Sequence, residues 1–160
     1  MKLKLLGIFG VAVMLAACGH DNNKGATVGN GGVTNNTNNG IVPGSQADLV
    51  ANVGDRVFFA LAKNNLSDEA RATLDRQTEW LKRYPQVQVM IAGNCDDRGT
   101  EEYNIALGSR RANAARDYLV SRGIDSSRIT TISYGKDRPT AEGDNEEAWA
   151  QNRNAITSVR

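Results

Sequence analysis

After residue 53 the apolar positions switch between two spacings, and the switches predict the order of elements. Val57, Phe59 and Leu61 alternate with smaller or polar neighbours, the period-two pattern of a strand. Ala70, Leu74, Gln77, Leu81 and Tyr84 then recur at steps of three and four, which predicts a helix. Ser67 is suited to cap it, Asp68 and Glu69 favour its positive end, and Pro85 stops it. A second strand is predicted in VQVMIAG, residues 87–93, with Val87, Val89 and Ile91 on one face. A second helix follows and ends at Arg122-Gly123, RITTISYG supplies a third strand, and AITSV a fourth after a short helical turn in NEEAWAQ. The order β-α-β-α-β-β predicts an α+β sandwich with the helices packed on one face of a mixed four-stranded sheet.

One residue breaks the second helical stripe. At about 100° per residue, Leu107, Ala114 and Tyr118 share a face with Ala115 at its edge, Asn104 lies on the same side, and Arg111 falls in the middle. A guanidinium does not shed its charge, and a buried unpaired charge costs several kcal/mol or more, so Arg111 is expected to meet an anion. That anion is one of the chain's own carboxylates, a ligand's, or both. Asp96 sits where the second strand ends, so a β-turn-α unit is expected to bring it to Arg111 at one end of the sheet. A carboxylate and a guanidinium held together suit a zwitterion, the first taking an ammonium and the second clamping a carboxylate. Gly99 lets loop amides approach such a ligand, and Asn104 donates to it or locks the loop. The residues alone leave a purely structural Asp96–Arg111 ion pair equally open.

The first 52 residues follow other rules. Lys2 and Lys4 precede an apolar run from Leu5 to Leu15 that is short for a membrane span, the layout of a secretory signal over residues 1–17. Leu15-Ala16-Ala17-Cys18 resembles the lipobox of bacterial lipoproteins, whose cysteine is acylated and becomes the mature N-terminus. Gly19 in place of aspartate implies, by the same resemblance, delivery to the outer membrane, with Cys18 held in its lipid on the periplasmic face. Residues 18–52 are rich in Gly and Asn, as in TVGNGGVTNNTNNG, and are expected to be a flexible tether before a domain at 53–160.

Charge and chemistry then narrow the classes. With Lys2 and Lys4 removed from the 19 basic residues, 17 face 18 acidic ones, which argues against a nucleic-acid partner. The single histidine, His20, lies in the tether, so no histidine-based triad or metal cluster is expected in the domain. Cys95 has neither a histidine to activate it nor a disulfide partner once Cys18 is acylated, and reads as a buried thiol. Asp96-Asp97 suits a turn, and DDRG lacks the phosphate-cradling loop a nucleotide switch needs. No enzyme, cofactor or metal is expected.

The run from Gly93 to Ala114 resembles the signature of OmpA-like domains, carried here by Asp96, Gly99, Asn104, Leu107 and Arg111-Ala112. RGTEEYNIALGSRRANA and ISYGKDRP are similar, more narrowly, to the peptidoglycan-associated lipoproteins of Gram-negative bacteria, over roughly residues 53–160. The resemblance implies non-covalent binding of peptidoglycan through the free end of meso-diaminopimelate, which is a zwitterion, and contact with Tol proteins during envelope constriction. By position it places the ligand on Asp96 and Arg111, with Phe59, Gly99, Thr100 and Asn104 in support. The chain departs from the family at Ala60, where an aspartate is usual, at Asn94 for histidine, at Cys95 for alanine or threonine, and at Asn154 for a second arginine.

Overall fold

The structure is a computed structural model that describes residues 40–160. The expected signal peptide, the acylated Cys18 and the tether as far as residue 39 lie outside the described residues. The predicted order of strands and helices is observed, as β1 (Arg56–Phe58), α2 (Asp68–Arg83), β2 (Val89–Asn94), α3 (Glu101–Ser121), β3 (Ile129–Gly135), α4 (Glu146–Asn152) and β4 (Asn154–Val159), preceded by a short α1 (Gln46–Asp48). The sheet runs β1-β4-β2-β3, with β2 and β3 parallel and both pairings of β4 antiparallel. α3 lies across β2, β3 and β4, with α2 beside it against β1. Leu74, Leu81, Val89, Ile91, Ala112, Ala115 and Leu119 form the core of this interface.

Local chemistry sets the helix limits where expected. The Ser67 hydroxyl accepts from Ala70 N–H, Thr100 does the same for Tyr103, and Gly123 follows α3 in the left-handed region at φ 94°. The buried stripe of α3 is rotated from the predicted one. It runs through Asn104, Leu107, Gly108, Arg111, Ala112, Ala115 and Leu119, leaving Ala114 and Tyr118 at its flank. The cause is Gly108, which brings the helix axis so near β2 that a Cβ on Gly93 would collide with the Gly108 carbonyl.

Two expectations are corrected. The first strand stops at Phe58, because Lys63 N–H bonds back to the Ala60 carbonyl and Ala62 turns left-handed at φ 54°, which leaves Leu61 on the surface. The tether does not extend to residue 52. From Ser45 the chain enters α1 and continues as a π-helical turn, Leu49–Val53, with Leu49 fully buried. Asp48 anchors this lead-in, accepting from Gly44 N–H at 2.8 Å, Asn52 Nδ2 at 2.7 Å and the Trp80 indole at 2.9 Å. Those donors, the Gly44 amide foremost, hold the Asp48 carboxyl below its ordinary pKa of 3.8.

A depressed folded-state pKa gives stability that is complete above the unfolded value and disappears as pH falls through the folded one. Asp48→Asn is therefore expected to cost about 1–2 kcal/mol at neutral pH and to weaken the loss of stability below about pH 4. Urea melts of both proteins at pH 7 and pH 3 check this. An unchanged difference between the two pH values would rule out Asp48 as a source of the acid sensitivity.

Candidate functional site

The C-terminal ends of β1 and β2, the start of β4, the loop before α3 and the helix α4 meet at one end of the sheet. Here the structure gathers Phe59, Asp96, Asn104 and Arg111. Arg111 is fully buried and among the described residues meets no carboxylate. Its Nε donates to the Lys63 carbonyl at 2.9 Å, Nη1 to Asn94 at 2.8 Å and Nη2 to Ala60 at 3.3 Å. Its guanidinium carbon lies 5.2 Å from the centroid of the Phe59 ring. Of the anions left open for Arg111, a carboxylate of the chain, Asp96 included, is thus not its partner among the described residues. Three carbonyl dipoles solvate the cation and cancel none of its charge, and burial pulls its pKa down from the ordinary guanidinium range.

Asp96 is paired elsewhere. Arg98 Nη2 reaches its Oδ2 at 2.6 Å and Arg153 Nη1 reaches the same atom at 3.3 Å. Oδ1 accepts no bond among the described residues. Burial alone would raise the Asp96 pKa, but the two arginines outweigh it and hold the carboxyl below its ordinary 3.8. Asp96 is therefore an anion at neutral pH with one oxygen uncommitted.

The supporting residues build this geometry without all facing one point. Asn104 is buried and donates from Nδ2 to the Arg98 carbonyl at 2.9 Å, so it locks the loop. Thr100 caps α3, and Gly99 at φ 93° turns the chain into that cap. Lys136 ties down the same loop through the Gly99 carbonyl at 3.1 Å. Cys95 is buried, donates to the Asn104 carbonyl, and has its thiol pKa raised by burial. That environment suits an inert thiol.

Sequence reasoning missed Arg98, Glu146, Trp149 and Arg153. Arg153 is buried, with Nε on the Phe59 carbonyl at 3.1 Å and Nη2 on Glu146 at 2.6 Å. Arg98 stacks on Trp149 at 4.0 Å from the ring centroid. A signal existed, since Glu146, Trp149 and Arg153 recur at steps of three and four and so share one side of the last helical turn. A shallow groove of about 440 Å³ lined by Phe58, Phe59, Glu147, Ala150, Gln151 and Arg153 opens beside them. Two of the noted departures are partners: Asn94 Nδ2 donates to Asn154 Oδ1 at 2.7 Å. Ala60, the third, serves the site through its carbonyl alone.

Comparison with known proteins bears on the family and the fold. The model of the OmpA family matches residues 58–153. A peptidoglycan-associated lipoprotein of Rhizobium meliloti (strain 1021) is 55% identical over 115 residues, 72% of this chain and 65% of that one. One from Haemophilus influenzae (strain ATCC 51907 / DSM 11121 / KW20 / Rd) is 39% identical over 154 residues, 96% of this chain and 95% of its own. The chain spans a little under two thirds of the first relative's length and nearly all of the second's. In three dimensions, the crystal structure of the peptidoglycan-associated lipoprotein from Burkholderia pseudomallei superposes with a TM-score of 0.64 at 39% identity, covering 66% of this chain and 90% of that one. The C-terminal domain of Helicobacter pylori MotB superposes at 0.62 with 20% identity over 66% of this chain and 84% of its own, a likeness of fold alone.

Proposed function

The chain belongs to the OmpA family, and from that premise we propose that it is a non-catalytic lipoprotein that joins the outer membrane to the cell wall. One end is the acylated Cys18 in the membrane, and the other is the domain's non-covalent grip on peptidoglycan at Asp96 and Arg111. The observation that carries this reading is that one end of the sheet holds both a buried Arg111 cation met by no carboxylate and an Asp96 anion that keeps one oxygen uncommitted. A ligand end bearing one carboxylate and one ammonium complements both, and the free end of meso-diaminopimelate is such a group. Phe59 and the pinned loop at Gly99, Thr100 and Asn104 hold the two charges in place. The names of the relatives, peptidoglycan-associated lipoproteins, support the wall as the target. Contact with Tol proteins at division is part of the same proposal and rests on the resemblance to that family.

The tether in this reading runs from Gly19 to Gly44, since folding starts at Ser45. At about 3.4 Å per residue its taut limit is near 90 Å. The test is retention of the protein on diaminopimelate-type peptidoglycan against a lysine-type wall, which keeps an amine and lacks the second carboxylate. Retention is expected on the first and at least tenfold less on the second. Equal retention on both would contradict the zwitterion mechanism.

A further inference from the structure

The guanidiniums and carboxylates at this end are unevenly matched. Arg98 and Arg153 crowd onto one oxygen, Asp96 Oδ2, while Arg111 meets no carboxylate among the described residues. A ligand carboxylate relieves the excess at Arg111. A ligand ammonium does the opposite, because it brings a further cation to an aspartate already shared by two. Asp96 Oδ1 is open to the ammonium, but with both guanidiniums on Oδ2 three cations would then share one carboxylate, and the crowding is relieved if one guanidinium gives way.

The two candidates are not equivalent. The Arg153 side chain is 8% exposed and is held by the Phe59 carbonyl, Glu146 and Asp96 at once. The Arg98 side chain is 36% exposed, with Asp96 as its one close carboxylate and Glu146 at 4.0 Å. Its other support is the face of Trp149, and its buried Nε and the Trp149 Nε1 have no hydrogen-bond partner among the described residues. Asn104 fixes the Arg98 backbone and Lys136 the loop around it, so movement of the side chain needs no movement of the chain. A half-exposed rotamer change of this kind is fast and cheap.

We propose that Arg98 is an internal substitute for the ligand's ammonium: it occupies Asp96 in the free protein and is displaced when a ligand with a free amine and a carboxylate binds. Arg98 is then a specificity-determining residue: it lowers affinity for a ligand whose amine donates to Asp96, and only such a ligand displaces it. The inference rests on the Asp96–Arg111 reading above and adds what that reading leaves unassigned.

The experiment uses the full-length protein in detergent and two probes: the stem tripeptide ending in meso-diaminopimelate, and the same peptide acetylated on the diaminopimelate amine. Arg98→Ala is expected to bind the free-amine peptide at least threefold more tightly than the wild type and to gain nothing for the acetylated one. Arg98→Lys, which keeps the charge, is expected to stay within twofold of the wild type on both. The sequence has two tryptophans, and Trp80 is buried in the core, so the emission of Trp149 should shift on binding the free-amine peptide and not in Arg98→Ala. Equal or weaker binding of the free-amine peptide by Arg98→Ala would make Arg98 a spectator or a direct ligand contact, and the exchange would be refuted. A wild type that binds neither peptide removes the Asp96–Arg111 reading itself, and the exchange with it.

Discussion

Arg111→Lys is expected to lower stability by about 3 kcal/mol and wall affinity by at least tenfold, although the charge is kept. The planar fork of Arg111 reaches three carbonyls that belong to two separate segments, Ala60 and Lys63 on one side and Asn94 on the other. An ammonium is a point donor on a shorter reach and cannot span all three, so buried carbonyls lose charged partners worth about 1.5–3 kcal/mol each. For a domain of this size that loss corresponds to a fall in melting temperature of roughly 10–15 °C. On the proposed function the same change also removes a bidentate carboxylate clamp, so binding is expected to fall even where the protein is folded. Thermal melts beside peptidoglycan titrations, performed well below the onset of melting, separate the two effects. A melting temperature within 3 °C of the wild type would show that the carbonyl cage contributes little. Full binding at 20 °C would show that no clamp exists.

Gly93→Ala should be at least as damaging to folding while touching no charge. The added Cβ meets the Gly108 carbonyl, which is backbone at the middle of α3 and has no side chain to swing away. The helix has to retreat from the sheet, opening the interface that buries Leu107, Ala112 and Ala115, and a loss of about 3–5 kcal/mol is expected. Circular dichroism melts of the variant read it directly. A drop of less than about 1 kcal/mol would mean that α3 slides without cost and that the close approach is incidental. The glycine inside α3 itself sacrifices helix propensity, near 1 kcal/mol, and its return is the reach of Arg111, one turn on, to the carbonyl of Asn94.

What was legible in the sequence is what repeats or is local. Ser67 and Pro85 bracket α2, the Val89–Ile91 alternation marks β2, and Arg122-Gly123 closes α3, because caps, breakers and periods act over a few residues. The lead-in from Ser45 was hidden because one turn with a single deeply buried residue, Leu49, has no period to read. The partners of Arg111 were hidden for a different reason. Backbone carbonyls are present at every residue, so composition carries no trace of which ones a guanidinium will find. Asp96 was correctly placed at the end of β2, yet its link to Arg153 spans 57 residues and depends on β4 returning beside β2. The attraction expected between Asp96 and Arg111 gave way to closer cations that arrive from α4 and the loop.

The lead-in also fixes the direction in which the domain can be pulled. Gln46 Oε1 accepts from Val159 N–H at 2.7 Å and Asp48 holds Trp80, so the chain enters beside the last residues of β4. Arg153, which holds Asp96, immediately precedes the first residue of the same strand. A tether anchored at Cys18 and a wall gripped at Asp96 and Arg111 would therefore apply force at opposite ends of β4, parallel to its axis. Load of that kind strains the hydrogen bonds to β1 and β2 together, in shear, where a pull across the sheet would open them one after another. A linker bearing tension between two surfaces is mechanically strongest when the strand that joins its attachment points lies inside the sheet, and β4 lies between β1 and β2.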